Sequence, residues 1–146
     1  MPSLSQYISG LLSQYIFLIP LVVIILCELA KVAVESARTK EFAFDHFFHS
    51  GGFPSSHSAF VASLLIVVWQ KMGIESVEFA ISAVFAVIIW YDAMSSRREI
   101  GLQAEALNRL QRKKHFQTRV GHSLVEVIGG IVFGLIVTWA GIWLSV

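Results

Sequence analysis

Four apolar stretches dominate this sequence, at about 15–37, 55–71, 77–95 and 122–144, and they leave it few folds to choose from. Roughly 20 apolar residues are what an α-helix needs to cross the hydrocarbon core of a bilayer. Backbone polar groups in that core must be bonded within the segment, so such stretches are read as helices. Composition agrees. Of 146 residues, 55% are hydrophobic and 14% charged, against roughly 25% charged in a soluble domain. The expected fold is all-α: a single-domain polytopic membrane protein over 1–146, with four transmembrane helices. The stretch at 55–71 is short for a full crossing, and Pro20 is expected to kink the first helix. The single cysteine, Cys27, excludes a disulfide framework and a thiolate metal site. A net charge of +1 gives no reason to expect nucleic acid. No Lys or Arg precedes Lys31, so the expected start lacks the basic region of a cleaved signal peptide.

Between the spans, residues 96–119 form the one long polar segment. Leu102, Ala106 and Leu110 recur every four residues, which predicts an amphipathic helix at the cytoplasmic interface. Its basic end, Arg109, Arg112, Lys113, Lys114 and Arg119, suits anionic lipid. Residues 39–53 read as an interfacial or re-entrant segment. Within it His46 and His49 suit either a metal or a plain interfacial pair. With four spans, the loops at 38–54 and 96–119 share one side and hold Arg38, Lys40 and seven further Lys/Arg, while the other side has only Lys71. The positive-inside rule then puts both termini outside and both basic loops in the cytoplasm. The expected location is a bacterial inner (plasma) membrane or an organelle membrane.

Chemistry-bearing residues gather at that cytoplasmic end. Gly51-Gly52-Phe53-Pro54-Ser55-Ser56-His57-Ser58 opens the second apolar run. Pro54 suits a first helical turn, Ser55 or Ser56 can cap through a side-chain oxygen, and the glycines permit positive φ. Free N–H groups at such a helix start favour an anion, with His57 beside it; a capped helix start with an incidental histidine is the alternative. Glu28, Lys31, Glu35 and Arg38 follow at spacings of three, four and three, on one helical face. A charged stripe on a spanning helix faces other helices or a water-filled cavity, and Glu–Lys pairing with snorkelling near the helix end is the plainer reading. Asp92, at the end of the third stretch, is either a site residue or an ion-pair partner. In Gly121-His122-Ser123-Leu124-Val125-Glu126, His122 and Glu126 stack four apart on one face. A carboxylate on one ring nitrogen fixes the tautomer and makes the other nitrogen more basic. Such a histidine can act as a nucleophile, or the pair can simply join helices. Gly130 and Gly134 form a G-x-x-x-G pair for close helix contact, within one chain or between two. Trp139 and Trp143 suit an interface belt at the far end.

Together these residues describe phosphoryl chemistry: a histidine backed by a carboxylate to attack phosphorus, a second to protonate the leaving oxygen, and cations with backbone N–H groups to hold the charge. No metal ion or other cofactor is required by that scheme. The chain resembles the phosphatidic acid phosphatase type 2 superfamily, which includes vanadium-dependent haloperoxidases, and within it the divergent branch of small bacterial and plant membrane proteins. The resemblance rests on GGFPSSHSA at 51–59, YDAMSSRREIGLQAEALN at 91–108 and GHSLVEVIGG at 121–130. It covers most of the chain after residue 30. Lys31 and Arg38 keep the spacing of the superfamily's K-x6-R-P motif, with Thr39 for proline. Pro54-Ser55-Ser56-His57 stands for P-S-G-H, with serine for glycine. His122 and Glu126 keep the histidine–acid spacing, with Glu for Asp. The arginine expected six residues before that histidine is absent, because position 116 is Phe, and Arg97, Arg98 and Arg119 are left to supply it.

The resemblance implies His122 as nucleophile, Glu126 as its orienter and His57 as general acid. It implies phosphate binding by Lys31, Arg38, Ser55, Ser56 and an arginine. Asp92, Gln103, Glu105 and Asn108 match the branch's middle motif and are expected to position an arginine or bind a metal ion. The superfamily core usually has six helices, so a homodimer is one way to restore the missing bulk. The expected function is hydrolysis of a lipid phosphomonoester or pyrophosphate at the cytoplasmic face: a phosphatidate-like lipid, phosphatidylglycerol phosphate or an isoprenyl phosphate. The alternatives are a non-catalytic protein binding a lipid phosphate or a protein partner, and a small lipid transporter.

Overall fold

The computed structural model describes residues 16–40, 52–111, 115–118 and 120–145, with the side chain of Arg38 excepted. Within them the chain is all-helical: α1 Leu18–Thr39, α2 Ser56–Met72, α3 Val77–Met94, α4 Ser96–Leu110 and α5 Leu124–Leu144. These bounds lie close to the four apolar stretches. The amphipathic helix is shorter than the polar segment that predicts it and ends at Leu110. Two stretches are long and apolar enough to cross a bilayer: Val77–Leu110, which spans α3 and α4, and α5. Length and composition do not mark the other two expected spans. In α1, Glu28, Lys31 and Glu35 interrupt the run, and α2 has 17 residues, roughly 25 Å at 1.5 Å per residue.

Pro20 sits in the first turn of α1, whose N–H groups have no ladder partner in any helix. No hydrogen bond is lost there, so α1 runs on from Leu18 to Thr39 and the expected kink has no cause. At the other end Lys40 adopts φ 58° and donates its N–H to Ser36 O at 2.9 Å, closing the helix. α3 opens on Ser76, whose hydroxyl accepts from Phe79 N–H at 3.1 Å.

Helix α2 lies at the centre and packs against α1, α3 and α5. The α2–α5 contact explains the glycine pair. A Cβ on Gly130 would run into the carbonyl of Ser55, and one on Gly134 into that of Ala59. Only glycine lets these backbones meet so closely, so the G-x-x-x-G contact is made within the chain. Thr138 extends the stripe, its hydroxyl hydrogen-bonded with Ser63 Oγ at 2.6 Å. Farther along, Trp69 and Trp139 stack edge to face with centroids 6.4 Å apart.

On α1, Ile19, Val23 and Cys27 recur every four residues and pack with Ala59, Ile66, Val67 and Ile142. The next position on that stripe is Lys31, itself buried. Elsewhere the interior is small and the outside is large. α3 buries Ser82, Ala86 and Ala93, while Val77 and Ile81 are 72% and 65% exposed. That distribution inverts the pattern of a water-soluble helix and suits helices packed by small residues within lipid.

Candidate active site

Four helix ends and the middle of a fifth helix meet at one end of the bundle. Ser55 N–H donates to Glu126 O at 3.0 Å, tying the start of α2 to the first turn of α5. His122 N–H donates to Ala93 O at 3.0 Å, tying the entry of α5 to the end of α3. From α1, Cys27 Sγ approaches Pro54 O at 3.8 Å. Gly52, at φ +100°, leaves room for the Lys31 stem: a Cβ there would lie 3.4 Å from its Cγ and Cδ. A Cβ on Gly121 would lie 2.6 Å from Arg98 N, so the chain before His122 runs flush against the start of α4.

The α2 start differs from the sequence expectation in one respect. Ser55 is the N-cap, but its side chain makes no capping bond. Its Oγ instead accepts from Ser58 Oγ–H at 3.0 Å. Pro54 precedes the cap and does not occupy the first turn. Among the described residues nothing accepts from the amides of Ser56, His57 and Ser58, as in the first turn of a helix that no side chain caps.

His122 is 7% exposed. Its Nδ1 lies 3.1 Å from Glu126 Oε2. An ionised carboxylate only accepts, so Nδ1 carries the proton and Nε2 keeps its lone pair. Glu126 is itself held. Ser123 N–H donates to the same Oε2 at 2.9 Å, and Glu126 N–H donates to Ser123 Oγ at 3.3 Å. This is a capping box, and it locks the carboxylate that orients the imidazole. Burial pushes the His122 ring below the ordinary histidine pKa, with Glu126 pulling the other way and Lys31 and Arg97 adding to the burial effect.

The charges felt at His57 are those of Arg97, His122, Lys31 and Glu28. Lys31 and Arg97 thus bear on both histidines. Each is paired: Lys31 Nζ with Glu28 at 2.9 and 3.0 Å, and Arg97 Nε with Asp92 Oδ2 at 2.9 Å. Arg98 has no carboxylate partner among the described residues. It lines a cavity of about 740 Å³ whose wall includes His122, Ser123, Gly101, Glu105 and Leu124. Ser55 and Ser56 are buried and His57 is exposed. Arg38 lies seven residues beyond Lys31 on the same face of α1, and its side chain is outside the described residues, as are Arg119, His46 and His49.

The middle-motif residues separate into distinct tasks. Asp92 holds Arg97. Asn108 grips the returning chain, donating to Phe116 O at 2.8 Å and accepting from Phe116 N–H at 2.7 Å. Glu105 pairs with Arg109 at 2.7 Å on the cavity wall. Gln103 is exposed. Among the described residues, no three His, Cys, Asp or Glu side chains stand where they could share a metal ion.

One feature escapes the sequence reading. The Ser123–Glu126 box is legible as S-x-x-E ahead of an apolar run. The Glu28–Lys31 pair is the Glu–Lys pairing that the spacing along α1 suggests.

Comparison with known proteins points in the same direction. A sequence profile described as the divergent PAP2 family matches residues 12–137. The uncharacterized membrane protein YuiD of Bacillus subtilis (strain 168) is 31% identical over 148 aligned positions, covering 88% of this chain and 94% of its own. No solved structure matches.

Proposed function

The chain belongs to the divergent PAP2 family, and from that premise we propose that it is a membrane lipid phosphatase. It cleaves a phosphomonoester or terminal phosphate of a lipid at the cytoplasmic face. The observation that carries this reading is His122, buried, held through Nδ1 by a capping-box carboxylate, with the charges of Lys31 and Arg97 bearing on its ring.

In this reading Nε2 of His122 attacks phosphorus. The P–O bond to the lipid alcohol breaks, and His57 delivers a proton to the departing oxygen. Water then hydrolyses the phosphohistidine, releasing phosphate and restoring both rings. The open amides of Ser56, His57 and Ser58, with Lys31 and Arg38 from α1, hold the equatorial oxygens. Arg98, with no carboxylate partner among the described residues and lining the cavity beside His122, takes the part of the arginine missing from position 116; Arg97 adds positive field while Asp92 fixes its place. All four apolar helices cross the membrane, with α4 at the cytoplasmic surface and both termini outside. In that setting the paired charges of α1 face helices instead of lipid.

Phosphate release in detergent micelles from a panel of lipid phosphates, with and without EDTA, tests this. Wild type is expected to release phosphate in both, and His122→Ala to release none. Release that survives His122→Ala, or that EDTA abolishes, overturns the mechanism. A protein that binds lipid phosphates without releasing phosphate supports the non-catalytic reading, which the lack of an arginine at position 116 favours.

A further inference from the structure

The groups arranged for phosphate arrive with carboxylates of their own. Glu126 holds His122, Asp92 holds Arg97, and Glu28 holds Lys31. The last two differ in setting. Arg97 and Asp92 leave 34% and 37% of their side chains exposed, so water and salt weaken their attraction. Lys31 and Glu28 leave 7% and 18%. A charge so withdrawn from water is costly to leave without a partner. Lys31 also has little room to swing away. It follows Ile19, Val23 and Cys27 on the buried stripe of α1, and its stem lies against Gly52. Both Glu28 oxygens contact its ammonium, at 3.0 and 2.9 Å.

We propose that Glu28 is a resident counter-anion of the phosphate cradle: in the empty site its carboxylate occupies the Lys31 ammonium, and a phosphate reaches Lys31 by displacing it. The proposal rests on the phosphatase reading and adds to it a filter by charge. A phosphate monoester carries roughly two negative charges at neutral pH, and a diester carries one. A dianion out-competes a single carboxylate for one buried ammonium, whereas a monoanion gains little by the exchange. Glu28 is therefore a positioning residue that selects terminal phosphates over the diesters of bulk membrane lipid.

The test is binding of inorganic phosphate and of dimethyl phosphate to the detergent-solubilised full chain, followed by calorimetry. Glu28→Gln keeps the shape and removes the charge. It is expected to bind inorganic phosphate on the order of tenfold more tightly than wild type, and to narrow the preference for phosphate over dimethyl phosphate. The gain must vanish in a Lys31→Gln background, because the two residues act as a pair. Glu28→Asp, with a shorter reach, is expected to give a smaller gain in the same direction, and carries the test if Glu28→Gln does not fold. Unchanged or weaker phosphate binding by the Glu28 variants, or an equal gain without Lys31, overturns the role of Glu28 and leaves the phosphatase reading standing. A wild type that binds neither probe overturns the phosphatase reading and this inference with it.

Discussion

At the scale of single residues, one carboxylate performs two tasks. Glu126 accepts from the His122 ring and from Ser123 N–H through the same oxygen, so the bond that shapes the helix start also aims the imidazole. Glu126→Gln is expected to cut turnover roughly 100-fold or more by loosening the tautomer. The pH profile gives the sign. Burial holds the His122 pKa below its ordinary value of about 6.5 and Glu126 raises it. The neutral, nucleophilic ring therefore persists below that pH in wild type. In Glu126→Gln the raising influence is gone, so the acid limb of kcat/KM should move to still lower pH. A shift to higher pH would contradict the arrangement. At the cavity, Arg98→Gln is expected to raise KM about tenfold with a smaller change in kcat, as loss of a phosphate contact does. An unchanged KM would remove Arg98 from the site.

At the scale of elements, the close approach of α2 and α5 sets where the chemistry stands. Gly130 meets the carbonyl of Ser55, one residue before the helix that carries His57. A larger residue there must push the two halves of the site apart. Gly130→Leu is expected to cost about 1–3 kcal/mol or more by overpacking and to lower the thermal midpoint in detergent by several degrees. Ile81→Ala, on the outward face of α3, should leave it nearly unchanged. Equal effects of the two would mean that α2 and α5 are not in contact. Ser123→Ala should lose about 1 kcal/mol of cap and part of the activity together, since Glu126 would lose one of its tethers.

At the scale of the whole molecule, the outward surface of large apolar side chains suits a protein set in lipid, and the proposed reading puts the candidate site at its cytoplasmic surface. Membrane-impermeant maleimide applied to intact cells reads the orientation. In a Cys27→Ser background, a cysteine at Ile74, in the α2–α3 connection, is expected to label from outside. One at His115, between α4 and α5, is expected to label only after permeabilisation. The reverse pattern would turn the site to the outer face.

Much of this architecture is legible in the sequence alone. Periodicity and apolar length place every described helix to within a few residues, apart from the end of the amphipathic one. Spacings of three and four put Lys31 beside Glu28 and His122 beside Glu126. These are local relations, and a helix imposes them wherever it forms. Tertiary structure decided what local rules cannot reach. It used Ser55 as a joint to Glu126 instead of a side-chain cap. It turned the glycine pair inward onto α2, and bent the chain after α4 so that Gly121 lies on Arg98. It buried Lys31 on the apolar stripe with Glu28 while leaving 34% of the Arg97 side chain in water. The reason is physical: spacing along a helix specifies which residues share a face, but which face is dry, and which charges meet there, depends on the helices packed against it.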